Sequence, residues 1–208
     1  MNEGAMADAE PLIISSASCA HAAGGMLLDR ILPEFDFRNR HAIIVAAPVA
    51  CVAEALETSP PLSESSAVVR LLLRLRGLTP SSEASSLRAS MTGRGFTVLA
   101  ERPGEEFVLG IAGRFWAFDE AGNLLSLPDA KAFTEFNQPG TAKAAVNVRL
   151  EALSAGTTRL STETRVKCVD GTAHRRFMFY WALIKPFSGW IRREMLRSIQ
   201  RRALALGG

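Results

Sequence analysis

Histidine is scarce in this chain. His21, His41 and His174 are the three among 208 residues, and none has a serine, cysteine or carboxylate partner at a motif spacing. That removes the histidine-based catalytic and zinc signatures, and no phosphate loop or dinucleotide fingerprint takes their place. Cys19, Cys51 and Cys168 are far apart, odd in number and without metal-ligand spacing, which argues against a disulfide framework or a cysteine metal site. They read as reduced, mostly buried small hydrophobes. No metal and no cofactor is expected. Long apolar runs are missing too: no stretch of about 18 uncharged apolar residues occurs, so no membrane-spanning helix is expected. The first residues carry Glu3, Asp8 and Glu10 and no basic segment leading into an apolar run. A secretory leader is therefore not expected, and the protein reads as cytoplasmic.

Charge of one sign is not in large excess either, with a net charge of +3, but its placement is uneven. Between Arg175 and Arg202 there are eight Lys or Arg against one acid, Glu194. Hydrophobic residues make up 48% and charged residues 22%, enough apolar material for a sizeable core. Residues 1–25, rich in Ala, Ser and Gly and without a sustained period, read as a flexible tail. Residues 26–208 read as one domain.

Along that domain, "MLLDRILPEF" predicts a short helical turn stopped by Pro33, and "FDFRNRHAIIVAA" a strand. Pro48 opens a helix that continues to Thr58. A second helix is expected over 63–77 and a third over about 81–92, ending near Gly93. From Gly95 the period changes. "FTVLAERPGEEFVLGIAGRFW" reads as two strands around Pro103-Gly104, with Phe96, Val98, Ala100, Phe107, Leu109 and Ile111 on one face. "AFTEFN" reads as a short strand. The next hairpin turns at Ser154–Gly156: Leu150 facing Leu160 sets Val148 against Thr162, Val146 against Thr164 and Ala144 against Val166. The same register puts Asn147, Arg149, Glu151, Arg159, Glu163 and Arg165 on the other face, as a half-buried antiparallel pair requires. Glu163 and Arg165 read as solvated there, as do Glu101, Glu105 and Glu106 beside the earlier turn. After Asp170, a helix cap, one long helix runs to about Ala205. Phe177, Tyr180, Trp181, Ile184, Ile191, Met195 and Ile199 form its apolar stripe, and Pro186 is expected to kink it.

The order is strand, short helices, a meander of antiparallel strands, and a terminal helix. A curved sheet with an apolar face needs a cover, and the last helix is the longest candidate. This predicts an α+β helix-grip fold: a curved antiparallel sheet wrapped around the C-terminal helix, with two or three short helices after the first strand. The segments "RHAIIVAAPVACVAEAL", "LAERPGEEFVLGIAGRFW", "PGTAKAAVNVRLEAL", "TRLSTETRVKCVD" and "YWALIKPFSGWIRREMLRSIQRRA" resemble the START-like, polyketide-cyclase and birch-pollen-allergen-like superfamily of helix-grip proteins, in particular an uncharacterised bacterial subgroup. The resemblance spans roughly residues 27 to 206. It implies a hydrophobic ligand cavity and no particular reaction, since members include carriers, receptors, cyclases and hydrolases.

A cavity between sheet and helix would be walled by Val98, Phe107, Leu109, Val146, Val148, Thr162 and Thr164 on the sheet, and by Tyr180, Trp181, Ile184 and Phe187 on the helix, with Trp116 either at its mouth or in the core. The strand side offers small residues and the helix side long aromatics, which leaves room. Thr162 and Thr164 either satisfy their hydroxyls locally or offer polar contacts in an apolar site. The leading expectation is a monomer or weak homodimer that binds a small hydrophobic or amphipathic molecule. An enzyme of cyclase, aromatase or hydrolase type would need a polar pair converging in the cavity, drawn from the threonines, Arg114 or Tyr180; no catalytic residue is singled out. A third reading sets the basic face of the last helix, with Arg192, Arg193, Arg197 and Arg201, on an anionic membrane surface. Nucleic acid is not expected, because the aromatic stripe is needed for the core.

Overall fold

The structure, a computed structural model, describes residues 25–59, 86–117 and 123–207. The tail expected before Gly25 and the helix expected over 63–77 lie outside these residues. Helix α1 (Leu27–Ile31) precedes strand β1 (Phe37–Val45), followed by α2 (Val49–Glu57) and α3 (Leu87–Thr92). Strands β2 (Thr97–Arg102), β3 (Glu106–Gly113) and β4 (Leu124–Leu125) come next, then α4 (Ala130–Glu135). Strands β5 (Ala142–Ser154) and β6 (Thr157–Cys168) lead into α5 (Gly171–Leu206). The sheet is antiparallel in the order β1-β6-β5-β3-β2, with β4 paired to the end of β3. Helix α5 covers its inner face. The fold is the helix grip, a curved antiparallel sheet around one long helix.

The β5–β6 hairpin keeps the register read from its alternation: Leu150 opposes Leu160, Val148 opposes Thr162, Val146 opposes Thr164 and Ala144 opposes Val166. Glu151 meets Arg159 at 3.1 Å. The β2–β3 hairpin does not keep its expected face. A bulge at Leu99 puts Val98 opposite Leu109 but Ala100 opposite Val108, so Leu99 and Ala100 turn to the outer face. "AFTEFN" is not a strand. Asp129 accepts the Ala132 N–H at 2.7 Å, caps helix α4, and seats Phe133 on the sheet's outer face. Gly110 makes that seat possible, because a Cβ there would collide with Leu99 and Phe133.

The outer face is therefore covered by α1 and α4 rather than solvated, and its charges are buried. Glu106, Glu163 and Arg165 are 2%, 1% and 4% exposed, against the solvated placement expected for them. Each has partners, as burial demands. Glu106 accepts the Leu27 N–H at 2.9 Å and the Asn147 amide at 2.6 Å. Glu163 accepts Arg165 Nε at 2.8 Å and Arg38 at 3.0 Å, and Arg165 donates on to the Leu32 carbonyl and Asp29. The network ties α1 to the sheet. Burial alone would lower the Arg165 pKa, but its bonds to Glu163 and Asp29 raise it. Glu101 is likewise engaged, by both guanidinium nitrogens of Arg88, whereas Glu105 is exposed.

Helix α5 begins where Asp170 accepts the Ala173 N–H at 2.7 Å. That bond, with a second from the Gly140 N–H, holds the Asp170 carboxyl below the usual carboxylate range. The helix runs unbroken through Pro186. Its far end is pinned by Gln200 to the Ile44 carbonyl and by Arg202 to Thr58.

Candidate functional site

The inner face is packed in two ways. Under the C-terminal half of α5, Leu109, Val148, Leu150 and Leu160 meet Met195, Leu196 and Ile199, with Val52 and Leu56 of α2 closing the side. Under the N-terminal half the strands offer Ala144, Val146, Thr164 and Val166, which are short. The helix offers Phe177, Tyr180, Trp181 and Ile184. Rings this large cannot interdigitate with such a shallow wall as aliphatic chains do. A cavity of about 140 Å³ remains between them, completed by Met91, Phe96, Ile111, Phe115, Ser188 and Arg192. Phe177 organises its aromatic end, with ring centroids 4.8 Å from Phe37, 5.6 Å from Trp181 and 5.6 Å from Tyr180.

The cavity brings together Val146, Thr164, Tyr180, Trp181 and Ile184 of the residues expected to wall it. The others lie elsewhere. Phe107, Leu109 and Val148 are buried in the packed end, with Val98 against them. Trp116 packs edge-on to Phe177 at 6.3 Å, half-buried, and does not line the cavity. Phe187 is 46% exposed and points away, because α5 turns it off the inner stripe. Arg114 is exposed as well. Thr162 is satisfied locally: its hydroxyl donates to the Asn147 carbonyl at 2.7 Å and accepts Arg192 Nη1 at 3.0 Å.

Arg192 is the polar residue that the sequence reading misplaced. The sequence expectation sets it on the basic outer face, but Ile184, Ser188 and Arg192 are spaced four apart and share the inner side of the helix, where all three line the cavity. That spacing was available in the sequence; the general expectation that arginines face water hid it. Burial pushes the Arg192 pKa down to about 10. Among the described residues its Nε has no hydrogen-bond partner, and neither does Thr164 Oγ1, both atoms being buried. His41 on β1 sits opposite Thr162 and against Gly189, where a Cβ would come within 3.3 Å of its Nε2. Burial lowers the His41 pKa, and Arg192 and Arg193 lower it further, so the imidazole is neutral near pH 7.

Among the described residues no group of His, Cys, Asp and Glu is placed to hold a metal ion. Cys51 and Cys168 are free thiols. Burial, with Asp36 and Asp170 nearby, pushes the Cys168 thiol up to about 12, which leaves it protonated and unreactive. No described helix is long and apolar enough to cross a membrane.

No protein-family model and no curated protein matches the chain. Solved structures do. A conserved protein from Geobacillus kaustophilus is similar at 11% identity and a TM-score of 0.42, over 81% of this chain and 96% of that one. The Zhui aromatase/cyclase from Streptomyces sp. R1128 is similar at 16% identity and a TM-score of 0.31, over 80% and 93%. Ara h 8.0201 is similar at 13% identity and a TM-score of 0.23, over 81% and 98%.

Proposed function

We propose that the protein binds a small apolar or amphipathic molecule in the cavity between β5, β6 and the N-terminal half of α5. The observation that carries this is the cavity itself: an apolar space of about 140 Å³ lined by Ala144, Val146, Tyr180, Trp181 and Ile184. An apolar cavity of about 150 Å³ is enough to take up benzene, so the occupant is of the size of one ring or a short acyl chain. A cyclase- or hydrolase-like activity would need a nucleophile or base there. The polar side chains lining the cavity among the described residues are Thr164, Tyr180, Ser188 and Arg192, and its described lining includes no His, Asp or Glu. Binding is the reading they favour. Native mass spectrometry of freshly purified protein tests it: a co-purified small molecule, or uptake of added benzene-sized probes at one per chain, is expected. A protein that takes up neither contradicts it.

A second reading has an observation of its own. Phe179, Leu183 and Phe187 are 74%, 61% and 46% exposed on the outer side of α5. Arg175, Arg176, Arg193 and Arg197 are exposed on the same helix, at either end of that apolar strip. An amphipathic face of this kind suits the boundary of an anionic membrane, where rings enter the acyl edge and arginines meet headgroups. Co-sedimentation with anionic liposomes, lost at high salt and in a Phe179→Ser/Leu183→Ser variant, is the expected outcome. Equal binding by wild type and variant would dismiss it.

A further inference from the structure

The cavity holds a cation that no described carboxylate neutralises. Arg192 lines it, and among the described residues no carboxylate pairs with that guanidinium. Its protein partner is the Thr162 hydroxyl, which takes Nη1 at 3.0 Å while its own proton is spent on the Asn147 carbonyl at 2.7 Å. This fixes the guanidinium and leaves Nε, buried, without an acceptor among the described residues. Thr164, the next inward-facing residue on β6, lines the same cavity with a buried hydroxyl that also lacks a partner. Buried Glu163 and Arg165, one residue away on the opposite face, are by contrast bonded to each other and to α1. A cation left without a counter-ion in an apolar cavity is destabilising unless something bound there supplies the charge.

We propose that Arg192 and Thr164 form an anion subsite at one end of the cavity, which takes the carboxylate of a small apolar acid. The guanidinium provides a charge-assisted hydrogen bond and the hydroxyl a second. The ring or chain of the acid then lies along Ala144, Val146 and Trp181. Neutral His41 adds no competing charge. A cavity of about 140 Å³ has room for a single ring or a short chain of the acid. The inference rests on the ligand-binding reading and narrows it from apolar molecules to monocarboxylic acids.

The test is a calorimetric titration of the full chain with benzoate, its neutral isostere benzamide, and toluene. Toluene reads the cavity alone. Benzoate is expected to bind wild type about tenfold or more tighter than benzamide, the scale of a hydrogen bond to a charged group. Arg192→Met should abolish that preference and keep toluene binding. Toluene binding without a benzoate preference, or a preference that survives in Arg192→Met, overturns the anion subsite and leaves the cavity reading standing. Binding of none of the three overturns both. Should Arg192→Met fail to fold, Thr164→Val decides. A several-fold loss of benzoate affinity with toluene retained supports the subsite, and unchanged benzoate affinity refutes it.

Discussion

One helix covers one sheet face, yet its two halves do different work. At the C-terminal half, Leu150 and Leu160 on the strands face Leu196 and Ile199 on the helix, and the interface is solid. At the N-terminal half, Ala144 and Thr164 face Trp181 and Ile184, and a cavity remains. The backbone is continuous through both, so the difference lies in side-chain shape alone. Branched aliphatic chains of similar length on both sides interdigitate to crystal-like density. Short residues under rigid rings do not. The comparison also locates polarity: Arg192 marks the boundary between the halves, four residues from Leu196 and four from Ser188.

Substitutions can break this contrast. The largest loss is expected outside the inner face, where Glu163→Ala takes the buried carboxylate from Arg165 and leaves it the Leu32 carbonyl and the half-exposed Asp29. Removing one partner of a buried pair costs about 3–5 kcal/mol, measured by urea unfolding. At the packed end, Leu196→Ala should cost about 2–5 kcal/mol and leave probe uptake intact. Val148→Trp, in the same packed end, should cost about 1–3 kcal/mol or more by overpacking; a stable mutant would mean that end holds space too. Arg192→Met should be neutral or raise the melting temperature without ligand, since it removes a largely desolvated charge that no described carboxylate pairs. The smallest effect is on pH dependence. The folded His41 pKa lies below its ordinary value of 6.5, so the unfolded chain binds more protons between the two. Its stabilising share is complete above about pH 6.5 and is lost as the pH falls through the folded pKa. His41→Gln should flatten the stability slope over that window, as read from melts at successive pH values.

Much of this architecture was legible in the sequence. The β5–β6 register, the Asp170 cap and the inner stripe of α5 follow from alternation, turn chemistry and helical spacing, which are local. On the helix side, Tyr180, Trp181 and Ile184 follow from the same spacing and line the cavity, whereas Phe187 does not and Ser188 and Arg192 were not expected there. What was not legible depends on who covers whom. Glu106, Glu163 and Arg165 alternate with apolar residues as solvated side chains do, and nothing local says that α1 folds over them with carbonyls and an aspartate to match. The bulge at Leu99 shifts Ala100 to the other face, and period-two patterns cannot see an inserted residue. Val148 and Leu109 were expected beside the cavity because they share its sheet face. Their place in the solid end is set by where α2 docks.

The measurement that bears most directly on the cavity is uptake of a fluorescent apolar probe of one-ring size by wild type, Ala144→Leu and Leu196→Ala. Ala144 lines the cavity, so a leucine there should fill the space. Uptake should be lost in Ala144→Leu with the melting temperature kept or raised, and retained in Leu196→Ala despite its lower stability. Uptake by Ala144→Leu equal to wild type, or none by wild type, would contradict a ligand cavity under the N-terminal half of α5.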